Sequence, residues 1–196
     1  MAEPTDTDCK IDKYSSELGQ KTFWDSTYKR EIENFNINGY TDEIWFGKDS
    51  VKRMVDWICE NITKLDSSII DLGCGNGYTL LELRKKNFTN LHGVDYSQWA
   101  VDFAKKFAIS NNFPDITYTV SDLTEKQADW EKFDIVLDKG TFDAISLCDE
   151  NVQEKKLWYK NNVESMLKND SLFIITSCNW TEEELVKFFG MSMYNQ

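Results

Sequence analysis

Apolar residues in the first third of the chain recur at helical spacing. Phe23, Trp24, Tyr28, Ile32 and Phe35 lie three or four positions apart, which predicts a helix from Gly19 to about Phe35. Val51, Met54, Val55, Ile58 and Ile62 predict a second helix, with Asp49 or Ser50 as its N-cap. Between them stands an aromatic run, Glu43-Ile44-Trp45-Phe46-Gly47. From Ser68 the pattern changes to short apolar runs separated by helical stretches. Strands are predicted at Ser68–Leu72, Leu91–Asp95, Ile116–Val120, Phe133–Asp138 and Leu172–Thr176. Helices are predicted over Tyr78–Lys86, after a Ser97 cap, and through Tyr159, Val163, Met166 and Leu167; Thr181 with Glu184 forms a capping box that opens a last helix. Strands that are apolar on both faces and alternate with helices predict an α/β fold. It should be a doubly wound, mainly parallel sheet behind an N-terminal helical extension. Residues 1–16 are polar and read as a disordered tail, 17–50 as the helix and aromatic segment, and 51–196 as the α/β domain.

Ligands of such sheets bind at the carboxyl ends of the strands. The first strand runs into Asp71-Leu72-Gly73-Cys74-Gly75-Asn76-Gly77 and then a helix. Alternate glycines let the backbone turn sharply and expose amide N–H groups at a helix start. The spacing is G-x-G-x-G, and Tyr78 stands where the dinucleotide fingerprint G-x-G-x-x-G needs its third glycine. Asp71 precedes the loop and suits a ligand with a positive amino group better than a pyrophosphate. Both features favour S-adenosylmethionine over a nicotinamide dinucleotide. The second strand ends in Asp95, 24 residues past Asp71, close to the roughly 20 expected of an acid that accepts ribose hydroxyls. The third run is followed by Asp122-Leu123, suited to an adenine edge, and the fourth ends in Asp138. One such Asp is readily a turn or cap residue; four of them in register with a glycine loop mark a ligand site.

Composition narrows the partners. The 196 residues carry a formal charge of −12, with 41% hydrophobic and 14% aromatic positions, against wholesale disorder. An acidic surface repels phosphate backbones and anionic lipid, so neither nucleic acid nor membrane is expected as a partner, and a basic protein is. No apolar run approaches the roughly 18 residues of a membrane span. The five cysteines are scattered without a C-x-x-C pair and read as free thiols. With an acidic N-terminus lacking an apolar stretch, they point to a cytoplasmic, and also nuclear, protein. A single histidine, His92, makes a His-based metal site implausible, and the absence of a G-x-S-x-G elbow weighs against a hydrolase.

The strand-end constellation, from about Val51 to Cys178, resembles the seven-strand, class I S-adenosylmethionine-dependent methyltransferases. The resemblance implies a Rossmann-like sheet of order 3-2-1-4-5. It implies that Gly73, Cys74, Gly75 and Gly77 wrap the methionine moiety behind Asp71. Asp95 and Tyr96 would take the ribose, Asp122 and Leu123 the adenine, and Asp138 would lie near the methyl. Three further segments sharpen it: Glu43-Ile44-Trp45-Phe46-Gly47, Asp138-Lys139-Gly140-Thr141-Phe142-Asp143-Ala144-Ile145-Ser146-Leu147, and Thr176-Ser177-Cys178-Asn179-Trp180-Thr181. Together they resemble the eukaryotic lysine methyltransferases of translation elongation factor 1-alpha. That family implies methyl transfer to a lysine of the elongation factor; the sequence leaves the oligomeric state open, with a monomer as the expectation. Asp138 and Asp143 are then the candidates for steering the amine, although Asp143 also suits a helix N-cap. Trp45 and Phe46 would form an aromatic wall against cofactor and substrate, and Asn179 and Trp180 would line the substrate groove. The position after the fourth strand lacks the Pro-Pro-aromatic run of base and amide methyltransferases. Only Gly190–Gln196 follow the last helix, too few for the family's closing antiparallel hairpin. The fifth strand is therefore expected at an uncovered edge. A small-molecule methyltransferase and a non-catalytic binding module stay open as alternatives.

Overall fold

The computed structural model describes residues 16–41, 44–126 and 130–190. Its centre is β1 (Ser68–Leu72), buried at every position. It pairs in parallel with β2 (Asn90–Asp95) on one side and β4 (Phe133–Lys139) on the other. β3 (Thr117–Val120) and β5 (Leu167–Thr176) complete a five-stranded sheet of order β3-β2-β1-β4-β5. The registers Leu72↔Val94 and Leu72↔Asp138 bring the carboxyl ends of three strands level.

Alternating side chains on each strand feed two cores. Ile69, Ile135 and Leu137 face α2 (Gly47–Asn61), α3 (Tyr78–Lys85) and α4 (Gln98–Ser110). Ile70, Leu72 and Val136 face α5 (Thr141–Ser146), α6 (Val152–Met166) and α7 (Glu182–Phe189). Each buried Ile, Leu or Phe contributes about 1.5–3 kcal/mol, so both faces of the sheet are anchored many times over. α1 (Lys21–Asn38) forms an outer layer, with Phe35 packed on Phe103 and Phe107 of α4. Ser97 caps α4 by accepting the Ala100 N–H at 3.4 Å. Thr181 and Glu184 close both halves of the capping box on α7.

Three expectations shift. α2 starts at Gly47, before Asp49 and Ser50; the Ser50 hydroxyl is taken by Arg53, and the N-cap is Phe46, in a left-handed conformation. Leu167 is not helical: it pairs with Phe133, and the chain bulges through Lys168–Ser171 before pairing resumes at Leu172 with Ile135. The extra turn α5 was hidden by its brevity. It is organised by Asp138, which is 0% exposed. The Thr141 N–H donates to Asp138 Oδ1 at 2.8 Å and the Phe142 N–H to Oδ2 at 3.0 Å, while the Tyr159 hydroxyl also donates to Oδ2. β5 is the edge of the sheet among the described residues, and α7 packs on one face of it where Phe189 meets Phe173 at 5.0 Å. The expected tail lies outside the described residues except for Ser16, and Glu43 of the aromatic run also lies outside them.

The Asp138 cluster is a structural knot joining β4, α5 and α6. Tyr159→Phe should lower stability by about 1–3 kcal/mol, because it withdraws a donor from a buried carboxylate. Urea unfolding measures this, and an unshifted midpoint at unchanged slope would show that the knot does not hold the fold.

Candidate active site

A cavity of about 770 Å³ opens at the carboxyl ends of the strands. That falls within the roughly 300–1,000 Å³ of small-molecule sites. Its floor is the glycine loop. The Cys74 N–H donates to Val94 O, which stitches the loop to β2. Gly75 has φ +54°, and a Cβ there would stand 2.3 Å from the Tyr28 hydroxyl, so glycine is what lets α1 close over the loop.

Asp95 sits where loop and strand meet. Its Oδ2 accepts the Gly75 N–H at 3.0 Å and its Oδ1 the Ser97 N–H at 2.9 Å. Burial raises its pKa to about 6, while those two N–H groups and Lys21 pull it down. A carboxylate offers about four lone-pair sites, so each oxygen keeps a second site for a ligand donor. α1 contributes Lys21, which stands 5.3 Å over the Tyr96 ring, and Asp25, which accepts the Ser97 hydroxyl at 2.6 Å.

The roof comes from the N-terminal segments. The backbone of Gly19 lies flat on Leu147 and Cys148; a Cβ would meet Leu147 O at 2.1 Å. The Cys148 thiol donates to Gly19 O, the Gln20 amide to Asp149, and the Trp24 indole N–H to Leu18 O. Trp45 packs edge-on against Trp24 at 4.6 Å and Phe23 at 6.4 Å. Its own indole N–H is buried without a partner among the described residues. Phe46 has φ +65°, a conformation that costs a residue bearing a Cβ on the order of 1–3 kcal/mol.

Most of the predicted residues converge here. Gly73, Cys74 and Gly75 line the floor, and Asp95, Tyr96, Asp122 and Leu123 the wall beneath β2 and β3. Trp45, Phe46, Asp143 and Asn179 line the far end. Asp143 is no N-cap, since Gly140 holds that place. Its carboxylate accepts the Ser177 hydroxyl and, at 2.8 Å, the Cys178 N–H, which fixes the loop leaving β5.

Four predicted residues do not line the cavity. Asp138 is turned into the knot beneath α5 and does not reach the reaction space. Asp71 is buried behind the loop, where burial raises its pKa to about 7 against the opposing pull of Lys139. Gly77 serves the turn into α3, and a Cβ there would strike the Tyr118 hydroxyl at 2.5 Å. Trp180 packs on Phe142 at 5.1 Å and donates its indole N–H to Ser146, partly buried against the second core.

Sequence reasoning missed several others. Asn151, Glu154, Lys155 and Trp158 line the cavity from one face of α6. Their helical spacing was readable, but their mixed polarity hid the face. Lys139 also lines it, and no sequence signal beyond its place in the motif marked it.

The residues present fit S-adenosylmethionine. There is an acid with spare acceptor capacity at the end of β2, a glycine floor, and a wall of aromatic rings able to face a sulfonium.

Comparisons with known proteins agree. Residues 64–194 match the family described as Methyltransferase domain. A Homo sapiens protein named EEF1A lysine methyltransferase 2 is 41% identical over 175 residues, covering 89% of this chain and 74% of that one. The Saccharomyces cerevisiae Protein-lysine N-methyltransferase EFM4 is 41% identical over 191 residues, covering 90% and 82%. Among solved structures, a TehB-like SAM-dependent methyltransferase from Corynebacterium glutamicum superposes with a TM-score of 0.58 at 19% identity, covering 85% of this chain and 80% of that one, a likeness of fold. With the strand order, the glycine floor and relatives of this identity in agreement, the chain belongs to the S-adenosylmethionine-dependent methyltransferases, in one family with these EEF1A lysine methyltransferases.

Proposed function

We propose that the chain is a protein-lysine N-methyltransferase whose substrate is translation elongation factor 1A. The observation that carries this reading is the 41% identity, over about nine-tenths of the chain, to enzymes named for that activity. The aromatic wall and the loop held by Asp143, both built from motif segments, support it.

S-adenosylmethionine, when bound, supplies a methyl group on a positively charged sulfur for direct displacement by an amine. The residues of the chain must bring in a lysine and make its nitrogen nucleophilic. Neutralising an ordinary lysine at pH 7 costs about 4.6 kcal/mol. Exclusion of water by Trp45 and Phe46 disfavours the ammonium form once it is inside. Asp143 opposes this from the far end of the cavity, where its buried carboxylate would attract the charged side chain. The lysine ammonium would first release its proton to solvent, and the freed lone pair would then form the C–N bond as the S–C bond breaks. Asp95 would hold the cofactor ribose, with Asp122 and Leu123 at the adenine. The four described cysteines are all free thiols, which supports a reducing, cytoplasmic or nuclear setting.

Incubation of the protein with purified elongation factor 1A and methyl-labelled S-adenosylmethionine should place label on a lysine, located by mass spectrometry. Label confined to small molecules, or none, overturns the substrate assignment. Asp143→Asn should lower kcat on the order of 10²-fold. Cofactor affinity should stay within about threefold, because the contact that the amide gives up lies in the loop after β5 and not at the glycine floor or Asp95. Equal losses in both would place Asp143 at the cofactor.

Cofactor binding should depend on the charge of Asp95. Its carboxylate is ionised above about pH 6 in the folded protein, and only that form accepts two hydroxyl donors. As pH falls through that value, affinity should drop by up to about tenfold per unit. In Asp95→Asn, affinity should already be low and this step absent. Calorimetry from pH 7.5 to 5 tests both, and a flat wild-type profile removes Asp95 from the ribose.

A further inference from the structure

We propose that Lys139 is a positioning residue, whose ammonium ties the Ile44–Phe46 segment to the sheet and so holds the aromatic wall over the cofactor cavity. The inference rests on the cofactor assignment and is independent of which protein is methylated.

Lys139 is the last residue of β4, and strand alternation sends it away from the face that receives Asp138. Asp138 enters the knot beneath α5; Lys139 enters the cavity. Its Nζ donates to Trp45 O at 3.0 Å and lies 5.9 Å from the centre of the Phe46 ring. One side chain thus holds two consecutive residues of the wall, by a hydrogen bond and by a cation over an aromatic face.

The segment has little other polar anchorage. The Gly47 N–H closes back on Ile44 O at 2.8 Å, within the turn itself. The Trp45 indole N–H and the Thr41 hydroxyl are both buried without a partner among the described residues. Phe46 is held at φ +65°, unfavourable for a residue with a Cβ, so something outside the turn must over-determine it. Gly140 shows what does so. A Cβ there would come 2.3 Å from Phe46 Cε2, so the ring lies directly on the backbone next to Lys139.

The charge has its own support. Burial lowers the basicity of Lys139, and Asp71 and Asp138 pull it part of the way back toward the ammonium form. Asp71, which does not line the cavity, thereby gains a role as counter-charge to the residue that does. A lysine that merely balanced Asp71 could point anywhere near it. This one ends on the carbonyl of the wall.

Lys139→Met keeps the stem and removes the ammonium. In the cofactor-free protein, hydrogen exchange at the Ile44–Gly47 amides should accelerate about tenfold or more, with β1 and β4 amides unchanged. The cofactor Kd should rise by about tenfold. Lys139→Arg, which keeps charge and donor, should recover most of both. Unchanged exchange at Ile44–Gly47 overturns the proposal. So does faster exchange spread equally over β1 and β4, since Lys139 would then only balance core charge. Should Lys139→Met fail to fold, Lys139→Met with Asp71→Asn removes the acid left uncompensated and carries the same comparison. None of these readouts needs a methyl acceptor, so a wrong substrate assignment leaves the outcome intact.

Discussion

The active edge exists because β1 is hydrogen-bonded on both sides by strands running in its own direction. Parallel pairing sends every connection back across a face and releases every loop at the same end. Leu72 stands level with Val94 and Asp138, so the turns after three strands emerge side by side. The glycine floor, the Asp95 acceptor and the α5 turn all follow from that register. A one-residue slip of β1 would exchange its two faces and take Ile69 and Ile70 out of their respective cores.

Aspartates at neighbouring strand ends are put to different uses. Asp95 keeps acceptor capacity and faces the cavity. Asp138 takes three donors, two backbone N–H groups and the Tyr159 hydroxyl, is fully buried, and becomes a fastening. Asp71 is balanced across the loop by Lys139. Burial raises the pKa of all three, to between about 6 and about 7. What separates their roles is which donors the local backbone delivers.

This explains what was legible in the sequence. Period and apolar runs placed every strand: β1 and β4, buried almost throughout, leave a continuous apolar signature, while in β3 only Tyr118 is buried and the pattern alternates. The strand-end acids were visible, and so was the glycine floor. What was hidden is side-chain direction at the end of β4. Asp138 and Lys139 are adjacent in sequence and point to opposite faces, and the motif does not reveal which one meets the cavity. Trp180 was misplaced for a related reason: an aromatic residue after a strand suits a groove and a core equally, and the nearby Phe142 and Phe188 decided for the core. The cavity-facing side of α6 mixes Glu154 and Lys155 with Trp158, so no polarity pattern betrayed it.

The roof contact between Gly19 and Cys148 joins residues 129 positions apart. Closing so long a loop carries a large entropic cost before any contact rewards it. This contact can form only after α5 exists, so this part of the roof closes late. During synthesis the N-terminal helix emerges well before the surface that receives it. The chain must therefore carry Gly19 and its neighbours undocked until Leu147 and Cys148 have been made and α5 has formed. A growing chain of this protein thus has an interval in which the segment before α1 waits on a surface 129 residues further along, and misassembly can begin there.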